Sequence, residues 1–312
     1  TYASSNETAL TVDQNGVLRG LAEGYAAVTA RRANLAAATA ATVGSPADPL
    51  GLGTLGLTVY PAALTLPVVG GQRQFLVQAG GTDLSAAASG TLYLLGDSSF
   101  AAVSPDGLTT SLSAGETTVT ILNGPAEQVI PIAVVQPQLD TATIGDEGGV
   151  IATTDGATLQ IPPGALPDGT TVTLRTLPTG AVEPGFDSVF EVGATFELDF
   201  GGAELAESAQ MMFPAASGFA VGDTVYFFKQ ESLPRADGST SDVWLLVETG
   251  QVGDDGFLRT SSPPYPGLSA GGQYRAARAD RPDRLSFMGF GAPPQVGYSI
   301  SLTPFGYGIP YL

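Results

Sequence analysis

An internal repeat is the feature of this sequence that most restricts its fold. Residues 5–29 align without a gap on residues 96–120, at a constant offset of 91 residues. A repeat of this length indicates one structural module that occurs twice along the chain. The matched positions are Val12 and Val103, Gly16 and Gly107, Leu21 and Leu112, Gly24 and Gly115, and Val28-Thr29 and Val119-Thr120.

Both copies carry a tight-turn signal at the same place. Asn15-Gly16 in the first copy aligns with Asp106-Gly107 in the second. Such pairs are favoured in hairpin turns because both residues tolerate a positive φ. Each copy is therefore predicted to contain a strand, a tight turn, a strand, a Gly turn and a further strand.

The repeat also resembles a known family. "NGVLRGLAEG" followed by "AAVTA" in the first copy, and "LTVYPAALTLPVVGGQRQFLVQA" before the second, resemble the group-two bacterial immunoglobulin-like domain of intimin- and invasin-type surface proteins. The resemblance implies a complete β-sandwich over 57–136. It also implies a partial module over 1–32 that lacks its first two strands. The Ala-, Gly- and Pro-rich residues 33–56 between them predict a linker.

A different pattern begins near residue 140. The segment "GDEGGVIATTDGATLQIPPGALPDGTTVTLRTL" resembles the opening of a ZU-five domain, a β-fold shared by ankyrins, zonula occludens proteins and netrin receptors. This resemblance implies a larger β-sandwich over 140–277. Alternating apolar residues predict further strands at Thr170–Thr176, Ala194–Phe200, Thr224–Lys229, Val243–Glu248 and Gln273–Ala276.

Composition agrees with an all-β chain of tandem immunoglobulin-like sandwiches and a larger ZU-five-like sandwich. The 312 residues include 41 glycines and 23 prolines, and only 13% are charged. This is typical of short strands joined by many turns, whereas a helical protein carries more charge. The hydrophobic fraction of 43% is too high for a disordered chain.

Residues 278–312 predict an extended tail that ends in one more strand. An offset of 243 residues places the end of the tail on the start of the second module. The tail thus resembles the strand type that the first copy lacks. The aligned positions are Val59 and Leu302, Pro61 and Pro304, Leu64 and Tyr307, Leu66 and Ile309, and Pro67 and Pro310.

This resemblance predicts self-assembly by strand insertion, because an incomplete sandwich exposes an apolar groove and an unpaired strand edge. The predicted donor residues are Ile300, Leu302, Pro304, Phe305, Tyr307, Ile309 and Tyr311. The predicted acceptor residues are Tyr2, Leu10, Val12, Val17, Leu21 and Val28.

Two other interpretations of the tail stay open. The 312 residues are a window of a longer array whose next module begins near Ser299, or the tail folds back onto its own N-terminal module. The second strand of the complete module, Arg73–Ala79, has no clear counterpart in the tail, although Leu285–Phe290 is a candidate.

Catalytic and metal-binding residues are sparse. The chain has no histidine and no cysteine, which excludes the usual catalytic triads and thiol nucleophiles. Asp146-Glu147 and Asp254-Asp255 are interpreted as turn acids. Asp237–Asp242 spaces its oxygen ligands like a calcium loop but lacks the correct Gly and Glu, so a hairpin loop is favoured. We therefore expect no enzyme activity, no metal and no cofactor.

Charge and targeting signals restrict the partners. The net charge of −18 disfavours nucleic acid and anionic membranes. No apolar run is long enough to span a bilayer. Residue 1 lies within a β-like pattern, so any export signal is expected to have been removed already. Asn6-Glu7-Thr8 is a possible glycosylation site.

Together these features predict a structural subunit of an extracellular filament or surface assembly that polymerises head to tail with other copies of itself. The alternative is a spacer or ligand-binding segment of a larger bacterial surface protein, either an adhesin or a carbohydrate-binding protein. The two differ in the tail, which only the first requires to be buried in another copy.

Overall fold

The computed structural model describes residues 1–179, 190–234, 238–262 and 265–279, and the backbone of 301–302. These residues are mostly β-strand, with one short α-helix and one short 3-10 helix among them. The prediction of an all-β chain is confirmed. The chain divides into two compact units, Thr1–Gln136 and Pro137–Leu312.

The first unit begins with a five-stranded module, residues 1–43, which we call the N-terminal module. Strands β1, β4 and β5 form one sheet in that order, and β2 pairs with β3 in a hairpin. The strands are β1 (Tyr2–Ser4), β2 (Leu10–Val12), β3 (Leu18–Gly20), β4 (Gly24–Arg32) and β5 (Leu35–Val43).

Residues 57–136 form the second module of this unit. Its sheets have the orders β11-β14-β15-β7, β12-β13-β8 and β10-β9-β6. Its core includes Leu66, Phe75, Ile121 and Ile132. The elements are β6 (Thr58–Tyr60), β7 (Leu64–Pro67), β8 (Gln72–Gln74), β9 (Leu76–Ala79), β10 (Thr82–Asp83), a 3-10 helix (Ala87–Ser89), β11 (Leu92–Leu95), β12 (Ala101–Val103), β13 (Leu108–Ser111), β14 (Gly115–Asn123) and β15 (Ala126–Val135).

The repeat predicted from the sequence is present in the strand registers. The five strands of the N-terminal module correspond to β11 through β15 of the second module at the same offset of 91 residues. Tyr2 lies opposite Ala30 in β1 and β4, as Tyr93 lies opposite Ile121 in β11 and β14. The tight turns predicted at Asn15-Gly16 and Asp106-Gly107 are confirmed, with positive φ at both glycines.

The predicted linker over 33–56 is wrong for most of its length. Residues Leu35–Val43 are strand β5, paired with β4 along nine residues. Residues Leu52–Leu55 form the helix α1, and Leu52 is buried in the core of the second module. Alanine-rich composition misled the prediction because small side chains give little alternation, yet Thr39 and Val43 are β-branched and suit a strand.

The second unit contains a single large sheet. Its strand order is β16-β18-β19-β22-β25-β24-β23-β27-β21-β20-β17, with β26 paired to β22 and β28 paired to β24. All five segments predicted as strands from alternation are strands. The strands are β16 (Gln138–Leu139), β17 (Thr141–Ile144), β18 (Gly149–Ala152), β19 (Thr158–Ile161), β20 (Thr170–Leu177), β21 (Phe190–Asp199), β22 (Glu204–Pro214), β23 (Thr224–Pro234), β24 (Thr240–Val252), β25 (Phe257–Thr260), β26 (Leu268–Ala270), β27 (Gly272–Ala279) and β28 (Ser301–Leu302).

The sheet is nearly closed, since its end strands β16 and β17 are separated by one residue of the chain. It surrounds an apolar core in which the ring of Phe196 stacks on Tyr274, with centroids 5.2 Å apart. Phe228 belongs to a second, smaller cluster with Trp244. Phe227, its neighbour in β23, lies in the main core, so the two side chains point to opposite faces of the sheet.

Candidate assembly interface

Two strand edges that are paired in the second module are open in the N-terminal module. Within the part of the chain that the structure describes, β5 ends the order β1-β4-β5, and β3 pairs only with β2. In the second module the equivalent edges are paired. Strand β7 runs parallel to β15, and β8 runs antiparallel to β13. The two modules therefore differ by the strands that close the sandwich on one side.

The parallel pair β7–β15 defines how the second module is closed. Leu64 lies beside Ile132 and Leu66 beside Val134. The amide of Val68 donates to the carbonyl oxygen of Val135 at 3.1 Å, which extends the pairing past the strand end. The equivalent edge in the N-terminal module is the end of β5 and the next residue, 41–44.

The inner face of the N-terminal sheet is poorly covered. Five positions that are almost fully buried in the second module are only half-buried or exposed in the first. In the second module β7 and β8 complete the sandwich over this face, and no strand among the described residues takes their place in the N-terminal module. The pairs are Val119 and Val28, Ile121 and Ala30, Ile130 and Thr39, Ile132 and Ala41, and Val134 and Val43.

The start of β5 is already occupied by the second module. The Ala36 amide donates to the carbonyl oxygen of Gly96 at 2.8 Å. One carboxylate oxygen of Glu127 accepts from the Thr39 hydroxyl at 3.0 Å and from the Ala40 amide at 2.9 Å. Asn34 donates its side-chain amide to Ser99 at 3.0 Å. The open edge of β5 is therefore restricted to the residues after Ala40.

The predicted acceptor residues fall into two groups. Leu10 is buried, and Val12 and Val28 are half-buried. Tyr2, Val17 and Leu21 are exposed. Leu21 is 53% exposed, and its counterpart Leu112 in the complete module is 54% exposed. The Leu21 position thus faces outward whether or not the sandwich is closed.

Leu18 is an apolar residue of the open edge that sequence reasoning missed. It lies in β3 and is 48% exposed, whereas its counterpart Thr109 is completely buried under the pairing with β8. Ala41 and Val43 in β5 were missed because they fell in the predicted linker. The offset of 91 residues could have identified Leu18, Ala41 and Val43, because it aligns them with Thr109, Ile132 and Val134 of the second module.

Most of the predicted donor residues lie outside the described residues. Only Leu302 is placed, through its backbone. It lies opposite Trp244, and Ser301 lies opposite Leu245, so β28 is an added strand on β24 of the second unit. The fold-back alternative places the tail on its own N-terminal module, whereas these two residues pair with β24. The others outside are Ile300, Pro304, Phe305, Tyr307, Ile309 and Tyr311.

The Asn6 side chain takes part in a local turn. Its amide nitrogen donates to the carbonyl oxygen of Tyr25 at 3.0 Å, and its amide oxygen accepts from the Thr8 hydroxyl at 2.6 Å. Asp97 occupies the same place in the second module and accepts from the Ser99 amide. The Asn-x-Thr pattern therefore has a structural role at this turn.

Asp146-Glu147 and Asp254-Asp255 lie in turns, whereas Asp242 lies in strand β24. Asp255 accepts two hydrogen bonds from Arg259 across a hairpin. The nearby Arg259 guanidinium lowers the pKa of Asp255. Asp242 accepts a hydrogen bond from Ser232 across the β23–β24 pair, and Asp237 lies outside the described residues. Among the residues that the structure describes, no three acidic side chains converge on a possible metal position.

Tyr93 is a partly buried tyrosine of the second module with a shifted pKa. Burial raises the pKa of Tyr93 to about 12, with added repulsion from Asp83 and Asp106. The Tyr93 hydroxyl donates to the carbonyl oxygen of Ser85 at 2.8 Å.

No helix within the described ranges has the length and apolar character needed to cross a membrane.

Comparison with known proteins gives no family. No family model and no curated protein matches the chain. Solved structures of one surface protein are distantly similar. The S-layer protein rSbsC(31-844) is 17% identical with a TM-score of 0.25, over 68% of this chain and 32% of that one. Surface layer protein SbsC domains 1-6 is 15% identical with a TM-score of 0.25, over 64% and 29%.

A third structure, surface layer protein SbsC domains 4-9, is 13% identical with a TM-score of 0.24, over 89% of this chain and 38% of that chain. The chain spans about a third of the length of these three structures. Similarity at this TM-score does not define a shared overall fold.

Proposed function

We propose that this chain is a structural subunit of an extracellular filament or surface assembly. Copies join head to tail when the C-terminal strand of one copy inserts into the open N-terminal module of the next. The partner is a second copy of the chain, and the assembly needs no cofactor. Such a contact does not close on itself, so repetition produces a fibre or an extended layer.

One observation carries the proposal. The N-terminal module matches the last five strands of the second module in register, yet no strand of the described residues pairs with its edge at 41–44 as β7 pairs with β15. The tail sequence matches the β6–β7 region at an offset of 243 residues. An open edge and a segment of the matching type therefore occur in the same chain.

Burial of apolar side chains favours insertion of the tail. Burial of five or six apolar tail side chains at about 1.5–3 kcal/mol each would contribute roughly 10 kcal/mol before the cost of ordering the tail. Backbone hydrogen bonds along the open edge of β5 add directional pairing, as in other complexes formed by strand addition. The net charge of −18 keeps the subunit from nonspecific binding to nucleic acid.

The sequence resemblances fit this role. We propose that residues 57–136 are a complete group-two immunoglobulin-like domain, that the N-terminal module is a partial one, and that 140–277 is a ZU-five-like domain. The tail, predicted as 278–312, begins after Ala279, because Arg278 and Ala279 belong to β27. The absence of histidine and cysteine supports a structural role over a catalytic one.

The alternative function is a spacer or a ligand-binding segment of a larger surface protein. In that case, residues that precede Thr1 would supply the strands that pair with β3 and β5. The open apolar positions at Leu18 and Ala41 are compatible with both functions. The tail distinguishes them, because a spacer does not need it to pair with another copy.

Truncation of the tail tests the proposal. The full chain and a chain that ends at Gly297 are compared by electron microscopy and by light scattering at the same concentration. We expect fibres from the full chain only. Monomers in both samples would support the spacer alternative. A full chain with Leu112→Ser is the control and should still form fibres, because Leu112 is an exposed apolar residue of the closed module and belongs to neither the tail nor the open edge.

A further inference from the structure

We propose a specific register for the inserted strand, an inference that rests on the proposed function. Residues 307–310 of one copy run parallel to β5 of the next copy and pair with residues 41–44. Tyr307 lies beside Ala41, and Ile309 lies beside Val43. Gly308 then lies beside Thr42 on the outer face of the sheet.

The register follows from the closed module. Leu64 lies beside Ile132 and Leu66 beside Val134. On the acceptor side, the offset of 91 residues aligns Ile132 and Val134 with Ala41 and Val43. On the donor side, the offset of 243 residues aligns Leu64 and Leu66 with Tyr307 and Ile309. The two offsets rest on different residues of the sequence and together give one pairing.

Side-chain size supports this register. The second module pairs two large aliphatic residues, Leu64 and Ile132, whereas the N-terminal module would pair Tyr307 with Ala41. The acceptor also has Ala30 where the second module has the fully buried Ile121. A larger donor residue thus faces smaller acceptor residues. Packing at the density of a protein interior requires such compensation.

The missing second strand creates further space. In the closed module Phe75 and Val77 are completely buried core residues, and the strands that carry them have no equivalent in residues 1–43. The aromatic rings of Phe305 and Tyr311 flank Tyr307 in the tail sequence. The segment therefore supplies large side chains to a module that has no equivalent of Phe75.

Proline positions agree with the same register. Pro67 ends β7 beside Val135, and the next amide, of Val68, continues the pairing. Pro310 matches Pro67, so the Tyr311 amide would donate to the carbonyl oxygen of Gly44. A proline lacks an amide hydrogen and is tolerated at the end of an edge strand, where no ladder bond is lost.

The anchor on the second unit limits the donated segment. Ser301 and Leu302 pair with Leu245 and Trp244 of their own chain. Ten residues, 303–312, follow this anchor. In an extended conformation they reach about 33 Å, which is ample for a strand of four paired residues.

Engineered cysteines test the register. The chain has no cysteine of its own, so each cross-link is unambiguous. Chains with Thr42→Cys are mixed with chains that carry Gly308→Cys, oxidised, and separated on a non-reducing gel. Thr42 is exposed and Gly308 has no side chain, so neither substitution removes an inward-facing residue. Controls replace Gly308→Cys with Gly306→Cys or Pro310→Cys, each two residues out of register.

We expect a cross-linked dimer in the Thr42 and Gly308 mixture and little in the two shifted mixtures. A dimer mainly with Gly306→Cys or Pro310→Cys, in samples that form fibres, overturns the register but leaves the proposed function intact. Fibres that persist when the chain ends at Gly297 overturn both. Circular dichroism of each variant confirms that the fold is retained before mixing.

Discussion

Leu66 lies beside Val134 in parallel register and closes one edge of the second module. Both side chains are buried in its core. Val43 occupies the place of Val134 in the N-terminal module, where it pairs with Gly24 of β4 and no strand of the described chain lies on its other side. One pair of residues thus marks the difference between a closed and an open copy of the same module, and the account of assembly depends on it.

A glycine under a tyrosine ring should be intolerant of substitution in the closed module. Gly107 has φ of 86°, and an added Cβ would lie 2.5 Å from Cζ of Tyr93. We expect Gly107→Ala to destabilise the second module by about 1–3 kcal/mol, because both backbone and ring must shift. Hydrogen exchange of peptides that cover 101–111 measures the loss.

The matched control for this prediction is Gly16→Ala. Gly16 has a similar φ of 81°, but its added Cβ would lie 3.1 Å from Tyr2, whose ring is half-exposed and free to move. The effect at Gly16 should therefore be smaller. An equal or larger loss of protection at Gly16 would show that the ring contact does not matter.

Glu127 should hold β5 against the second module. Glu127→Ala removes the acceptor for both the Thr39 hydroxyl and the Ala40 amide. We expect a loss of about 1 kcal/mol, since each bond is exposed to solvent. Amide exchange at Ala40 should accelerate. Glu116→Ala, an exposed carboxylate on β14, is the control and should leave Ala40 unchanged; similar rates in wild type and Glu127→Ala would reject this role.

High pH should destabilise the second module through Tyr93. Burial raises its pKa in the folded state to about 12, above the ordinary value of 10. The folded state therefore binds this proton more tightly than the unfolded state. Its contribution to stability is complete below pH 10 and falls as the pH rises through 12. Burial also raises the pKa of Tyr274 in the second unit, so several tyrosines ionise late. Absorbance titration at 295 nm should show that Tyr93→Phe removes one ionisation near pH 12 and leaves the others; a late part of the curve that Tyr93→Phe leaves unchanged would contradict the assignment.

The repeat made much of the first unit predictable. Residues at identical positions, such as Gly16 and Gly107, correctly located the turns, and the offset of 91 residues holds in every strand register of the N-terminal module. Alternation likewise located five strands of the second unit. These signals succeeded because they depend on local backbone preference and on one buried face.

Other features could not be predicted from local patterns. Strand β5 is alanine-rich, so its pairing with β4 is fixed by tertiary contacts and not by apolar alternation. The outward position of Leu21 is visible only beside Leu112 in the closed module. Alternation in the second unit predicted its strands, but the number of sheets that they form is decided by hydrogen bonds between distant segments such as β19 and β22.

The most direct test of the central claim is binding of the isolated tail. A synthetic peptide with the sequence of residues 303–312 is titrated into the chain that ends at Gly297, by calorimetry and hydrogen exchange. We predict saturable binding of one peptide per chain. Amide exchange at 41–44 should become slower when the peptide binds, and amide exchange at 132–135 should not change. No binding, or protection confined to Trp244 and Leu245 in the second unit, would contradict the account.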